Sequence, residues 1–215
     1  MNDIPSTLLV VTDRHQARRP LEEIVADILA AGARWIWFRD RDLQIAERRR
    51  LALRLSELVQ STGGCLSIGG DIELAVEAET NAVHVSDFAA IADARRRLGP
   101  AALVGLSAHS IADVADAHAA GADYVTLSPI YQSASKPGYG PALGPDAIKH
   151  AAQIEIPVLA LGGITANNIA AAVNAGAAGI AIMGSVMAAA RPAAVVNEIL
   201  QTTARVLASV GRCSR

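Results

Sequence analysis

The chain has 215 residues, of which 52% are hydrophobic and 19% charged. That excludes a disordered polypeptide and fits one sizeable domain. Aromatics are only 3% and the formal net charge is −2, which argues against a base-stacking nucleic-acid platform and against a field that draws polyanions or anionic membranes. Cys65 and Cys213 form neither a CxxC nor a metal spacing, as expected of a reducing compartment. The opening MNDIPSTLLVVTDR lacks the basic run and long apolar core of a secretory signal, and no apolar run reaches membrane-spanning length, so a cytoplasmic protein is expected.

In chain order, eight short runs rich in β-branched and aliphatic residues read as strands: 7–13, 34–39, 65–70, 82–86, 102–108, 124–130, 157–163 and 179–184. Most are continuously apolar rather than alternating, the pattern of strands covered on both faces in a parallel sheet. Helical periodicity lies between them, at Ile24, Val25, Ile28 and Leu29 within 21–31, and at Leu51, Leu55, Leu58 and Val59 within 51–59. Ser110 marks one helix start, Thr165 precedes a helix expected over 166–173, and Pro192 suits a first helical turn. AGARWIWFR, AGADYVTLS and AGAAGIAIMG repeat one unit: a helix end, a glycine stop and an apolar strand. Eight such units predict a single (β/α)8 TIM barrel over 1–215, with an open doubly wound sheet as the alternative. The one long connection, 131–145 (YQSASKPGYGPALGP), has no regular period and reads as a lid-like loop after strand six.

In a barrel, chemistry sits where the strands end. Gly162-Gly163 close strand seven and Gly184-Ser185 close strand eight, placing backbone N–H groups where a phosphate is held. Ser133, Ser135 and Lys136 open the lid and offer donors to phosphate oxygens. Arg39 ends strand two and Arg41 follows; a guanidinium fork suits a carboxylate or a second phosphate, unless the two simply pair with Asp40 and Asp42. Ser107 ends strand five. His84 in strand four and His109 after strand five are candidate proton shuttles, although alternation alone leaves open which way His84 points. His15, His118 and His150 read as solvated, as do the runs 48–50 and 95–97 of three arginines each. Asp13, Asp40, Asp71 and Asp87 form no cluster of metal spacing, and Asp71 reads as a helix cap.

Together FRDR, GLSAHS, GADYVTLSPIYQSASK, ALGGI and IMGS resemble the thiamine phosphate synthase and thiazole tautomerase superfamily, from about Thr7 to Glu198. The resemblance implies a (β/α)8 barrel that handles a phosphorylated thiazole. By motif, Ser133, Ser135 and Lys136 stand where the lid contacts phosphate groups. Gly162, Gly163, Gly184 and Ser185 stand where the thiazole phosphate is held, and Ser107 matches the serine after strand five. The synthase pattern also has a Gln where Trp37 stands, and Asn-Asp where Gly69-Gly70 stand. It has a second magnesium-binding Asp where Ala89 stands.

These departures place the chain closer to the tautomerase branch. The expectation is a metal-free isomerase acting on a carboxythiazole phosphate, with Arg39 binding the carboxylate and no cofactor. The acid/base role is left among His109, His84 and Lys136, since Pro129 occupies the place of the tautomerase histidine. The alternatives are the synthase, which joins a pyrimidine diphosphate to thiazole phosphate with Mg²⁺, and a non-catalytic binder of such phosphates. No nucleic-acid or membrane partner is expected, and a homo-oligomer is left open.

Overall fold

The computed structural model describes residues 3–132 and 141–213. Eight parallel strands close into a barrel in chain order: β1 (Leu8–Val11), β2 (Trp35–Phe38), β3 (Cys65–Gly69), β4 (Ala82–Val85), β5 (Leu103–Ala108), β6 (Tyr124–Leu127), β7 (Val158–Leu161) and β8 (Gly179–Ile182). Closure comes from β1 pairing with β8, where Leu8 faces Ile180 and Val10 faces Ile182. Around the barrel run α1 (Leu21–Ala30), α2 (Ile45–Gln60), α3 (Ile72–Glu77), α4 (Ala89–Leu98), α5 (Ile111–Ala119), α6 (Gly144–Ala151), α7 (Ile169–Asn174), a short α8 (Gly184–Met187) and α9 (Pro192–Cys213). No helix among the described residues is long and apolar enough to cross a membrane.

The strands read as continuous apolar runs because each face meets protein. Leu8, Val10, Val83, Val85, Val104 and Leu106 pack outward against the helices. Leu9, Val11, Trp35, Trp37, Leu103 and Tyr124 fill the barrel itself. Valines 83 and 85 therefore face outward and His84 points in. Gly105 leaves the barrel room for Tyr124: a Cβ there would lie 2.1 Å from the phenol ring. Trp35 meets Tyr124 edge to face with centroids 4.7 Å apart, and its indole N–H donates to Ser67 Oγ at 3.0 Å.

Three local readings need correction. The helix expected over 51–59 begins at Ile45. Its first turns are masked in the sequence by the three arginines at 48–50, of which Arg48 is buried (7% exposed) rather than solvated. Arg95 is likewise bound inward, donating to Asp123 at 2.6 Å, whose side chain is 1% exposed. Finally, the residues after Thr165 form a turn, and helix α7 starts only at Ile169. There Asn168 Oδ1 accepts from the Thr165 N–H at 2.8 Å, and its Nδ2 donates to the Gly163 carbonyl at 2.9 Å. Ser110 and Asp71 cap α5 and α3 as read, accepting from the Asp113 and Leu74 amides.

Candidate active site

The strand ends open onto a cavity of about 1100 Å³. That exceeds the usual range for a single small ligand, ~300–1000 Å³. Arg39, Arg41, Ser107, His109, Gly162, Gly163, Gly184 and Ser185 all line it. His84 does not: it is fully buried below the floor. Ser133, Ser135 and Lys136, with most of the lid-like loop, lie outside the described residues.

One wall is backbone. Gly162 and Gly163 have φ of 94° and 63°, in the left-handed region that suits glycine. A Cβ on Gly163 would lie 2.4 Å from the Gln132 carbonyl oxygen, so this turn packs directly on the chain leaving β6. The Tyr131 N–H donates to the Gly162 carbonyl at 3.0 Å and fixes that contact. On the neighbouring strand β8 turns at once into α8. The N–H groups of Gly163, Gly184 and Ser185 find no acceptor among the described residues. Three amides that line one cavity and have no protein acceptor are free to donate to an anion.

The rim after β2, two strands beyond β8 around the closed barrel, is cationic. The segment Arg39-Asp40-Arg41-Asp42 separates its charges instead of pairing them internally. Asp40 turns back to β1, accepting from Thr12 Oγ1 at 2.6 Å and the Arg14 N–H at 2.7 Å. Asp42 accepts a bidentate fork from Arg14 at 2.6 and 2.8 Å and sits 2.7 Å from His15 Nε2. The Arg14 hydrogen bond, then that of His15, hold its carboxyl far below the usual range. His15 is solvated as read, its side chain 65% exposed, but it also borders the cavity and is held by Asp42. Arg39 and Arg41 are left facing the cavity without a carboxylate partner among the described residues. Burial of the guanidinium, then the positive charges of Arg39 and Arg48, lower the pKa of Arg41.

Arg48, read as solvated, braces this wall from beneath. It donates to Asp71 at 2.5 Å, to the Gly69 carbonyl at 2.9 Å and to the Asp40 carbonyl at 3.2 Å. A buried arginine at the start of α2 has no distinguishing mark among three consecutive arginines.

The floor is Trp37, stacked on His84 with centroids 3.8 Å apart. His84 Nδ1 lies 3.0 Å from the Tyr124 hydroxyl and Nε2 3.0 Å from Ser107 Oγ. Burial, then the charge of Arg41, lower its pKa to about 3, so the ring is neutral at working pH and orients Ser107. His109 is exposed at the rim; its Nδ1 donates to the Ser128 carbonyl at 2.8 Å, which fixes that tautomer in the neutral ring.

A divalent metal, implied by the synthase alternative, fits poorly here. Both oxygens of Asp13, Asp40, Asp42 and Asp71 already accept from protein donors. Among the described residues no three of His, Cys, Asp or Glu gather as a ligand set.

The thiamine monophosphate synthase family matches residues 8–186. The chain belongs to that family. A thiamine-phosphate synthase of Marinobacter nauticus is 36% identical over 182 residues, covering 82% of this chain and 81% of its own. That of Geobacillus thermodenitrificans is 34% identical over 184 residues, covering 83% of each. A thiamine phosphate pyrophosphorylase structure from Pyrococcus furiosus superposes with a TM-score of 0.82 over 93% of this chain and 96% of that one; at 23% identity it shows the shared fold.

The isomerase expectation is therefore corrected. The relatives that match across most of the chain carry the synthase name, and membership of the family does not place the chain on the tautomerase branch. Three departures from the synthase pattern, at Trp37, Gly69-Gly70 and Ala89, do not outweigh a family match over residues 8–186.

Proposed function

We propose that this chain is a thiamine-phosphate synthase, a transferase that joins a pyrimidine diphosphate to a thiazole phosphate. The observation that carries the reading is one cavity bordered both by acceptor-free backbone amides and by two guanidiniums with no carboxylate partner among the described residues. The amides of Gly163, Gly184 and Ser185 and the guanidiniums of Arg39 and Arg41 border the same space of about 1100 Å³, large enough for two ligands. The names of the relatives agree with it.

On this reading the glycine wall holds the thiazole phosphate and the arginine wall holds the diphosphate. The thiazole ring nitrogen attacks the carbon that bears the diphosphate. One C–N bond forms, one C–O bond breaks, and the bonding pair leaves on the diphosphate oxygen. The product ring is a cation and no proton is transferred. A neutral, buried His84 is compatible with that balance, since the step asks for no acid or base. The protein's work is to align two ligands and to stabilise charge on the leaving group. Trp37 supplies an aromatic floor beneath them.

The test is to incubate the chain with both substrates and separate the products by chromatography. Thiamine phosphate and inorganic diphosphate are expected in equal amounts. Release of neither above the enzyme-free control would end the reading.

A further inference from the structure

The arginine wall has a feature that two loose surface cations would not need. The Arg41 guanidinium lies on the backbone of Gly70: a Cβ there would sit 2.7 Å from Cζ and Nη2 and 3.0 Å from Nε. Gly70 adopts φ 66°, so glycine at this place makes the turn and also leaves the room that the guanidinium fills. The Arg48 brace fixes the flanking carbonyls of Gly69 and Asp40. The carboxylate oxygens of Asp13, Asp40, Asp42 and Asp71 each accept at least one bond from Thr12, Arg14, His15, Gln16, Arg48 or a backbone amide. Two guanidiniums line the cavity with no carboxylate partner among the described residues, beside acids that already accept from protein donors and do not gather into a ligand set for a divalent cation.

We propose, on the synthase reading above, that Arg39 and Arg41 neutralise the departing diphosphate directly, so that this chain binds diphosphate without a divalent cation. Two guanidiniums supply two positive charges, equal to one divalent ion. As the C–O bond breaks, its electron pair passes to the diphosphate oxygen. The arginines neither gain nor lose a proton; their N–H forks shorten onto the developing charge. The room left by Gly70 sets where Arg41 rests before the ligand arrives.

Calorimetry of inorganic diphosphate against the full chain tests this, in EDTA and in magnesium chloride. The dissociation constant is expected to agree within about threefold between the two buffers, and Arg41→Ala to weaken binding in EDTA roughly tenfold or more, the effect of losing charge-assisted hydrogen bonds. Gly70→Ala, which keeps both arginines but fills the space beneath Arg41, is expected to weaken it as well. Binding that needs magnesium, or an Arg41→Ala chain that binds diphosphate in EDTA as tightly as its parent, would overturn the proposal. Failure of the synthase reading is separable: diphosphate would still bind in EDTA while no thiamine phosphate formed in either buffer.

Discussion

Replacing Arg48 by alanine tests whether one buried guanidinium holds the cationic wall in shape. The side chain makes three bonds that alanine cannot: to Asp71, to the Gly69 carbonyl and to the Asp40 carbonyl. The two carbonyls belong to buried residues, and each orphaned acceptor costs about 1 kcal/mol at the low end of the usual range. The Asp71 side chain is 37% exposed, so that ion pair is partly screened and contributes at most ~1 kcal/mol. The guanidinium also sits 5.6 Å from the Phe38 ring centroid, a contact worth roughly 0.5–1 kcal/mol. The loss should come to about 3 kcal/mol, or a melting temperature lower by roughly 6–12 °C for a chain of this length. Urea denaturation followed by circular dichroism measures it. Arg48→Lys keeps a charge for Asp71 but not the fork to the carbonyls, so it should recover only a minor part. A loss below about 1 kcal/mol in the alanine variant, or a lysine variant as stable as the parent, would refute the bracing argument.

Two further outcomes follow from the site. Gly163→Ala places a Cβ 2.4 Å from the Gln132 carbonyl at φ 63°, so it should destabilise by ~2–3 kcal/mol and weaken inorganic phosphate binding, checked by thermal melts and calorimetry; unchanged values would contradict the backbone wall. His84 titrates near 3 in the fold against ~6.5 when unfolded, so in acid the unfolded chain binds more protons and stability rises with pH between those values. His84 thus costs nothing above about pH 6.5 and roughly 2 kcal/mol near pH 5, and His84→Gln should be less sensitive to that change in denaturation at pH 5 and 7. Equal sensitivity in both chains would show that the ring is not held neutral.

The barrel was legible because its signal is redundant. Each strand is buried on both faces, so a run such as LLVV or WIWF stays apolar without alternation, and eight of them recur at regular spacing. The glycine pair after strand seven was legible for a related reason: a φ near 94° and a neighbour 2.9 Å from the missing Cβ leave little choice of residue. What escaped was direction. Nothing in AVHV says that the histidine enters the barrel and stacks on Trp37; that follows from the strand's placement between β3 and β5. Arg48 escaped because the first of three arginines differs from the others only by the helix face on which it falls. The order of the two functional readings was wrong for another reason. Missing carboxylates were weighed against the synthase, which stood only as the alternative, although the charge of a leaving group can be met by any well-placed cation.

The segment from Arg39 to Asp42 shows how a composition that looks neutral becomes a charged site. In the sequence two arginines and two aspartates alternate, and the economical reading is mutual cancellation at the surface. In the fold, the chain leaves β2 at the rim, where successive side chains go to different neighbours. Asp40 is 5% exposed and reaches Thr12 and Arg14, so its direction is set by buried hydrogen bonds rather than by its sequence neighbours. Asp42 follows because Arg14 offers it a fork. Once both acids are drawn toward the β1 loop, Arg39 and Arg41 lose the partners that alternation seemed to provide, and they border a cavity instead of open solvent. The positive field there is thus produced by Thr12, Arg14 and His15, none of which needs to touch a ligand. Weakening Asp42's hold by His15→Ala should leave the arginine wall in place, because the Arg14 fork remains. Arg14→Ala should not: it frees Asp42 to pair with Arg41 and so weakens diphosphate binding without removing a single cation from the wall. Calorimetry of the two variants separates the cases, and equal affinities would show that the acids are held apart by something other than Arg14.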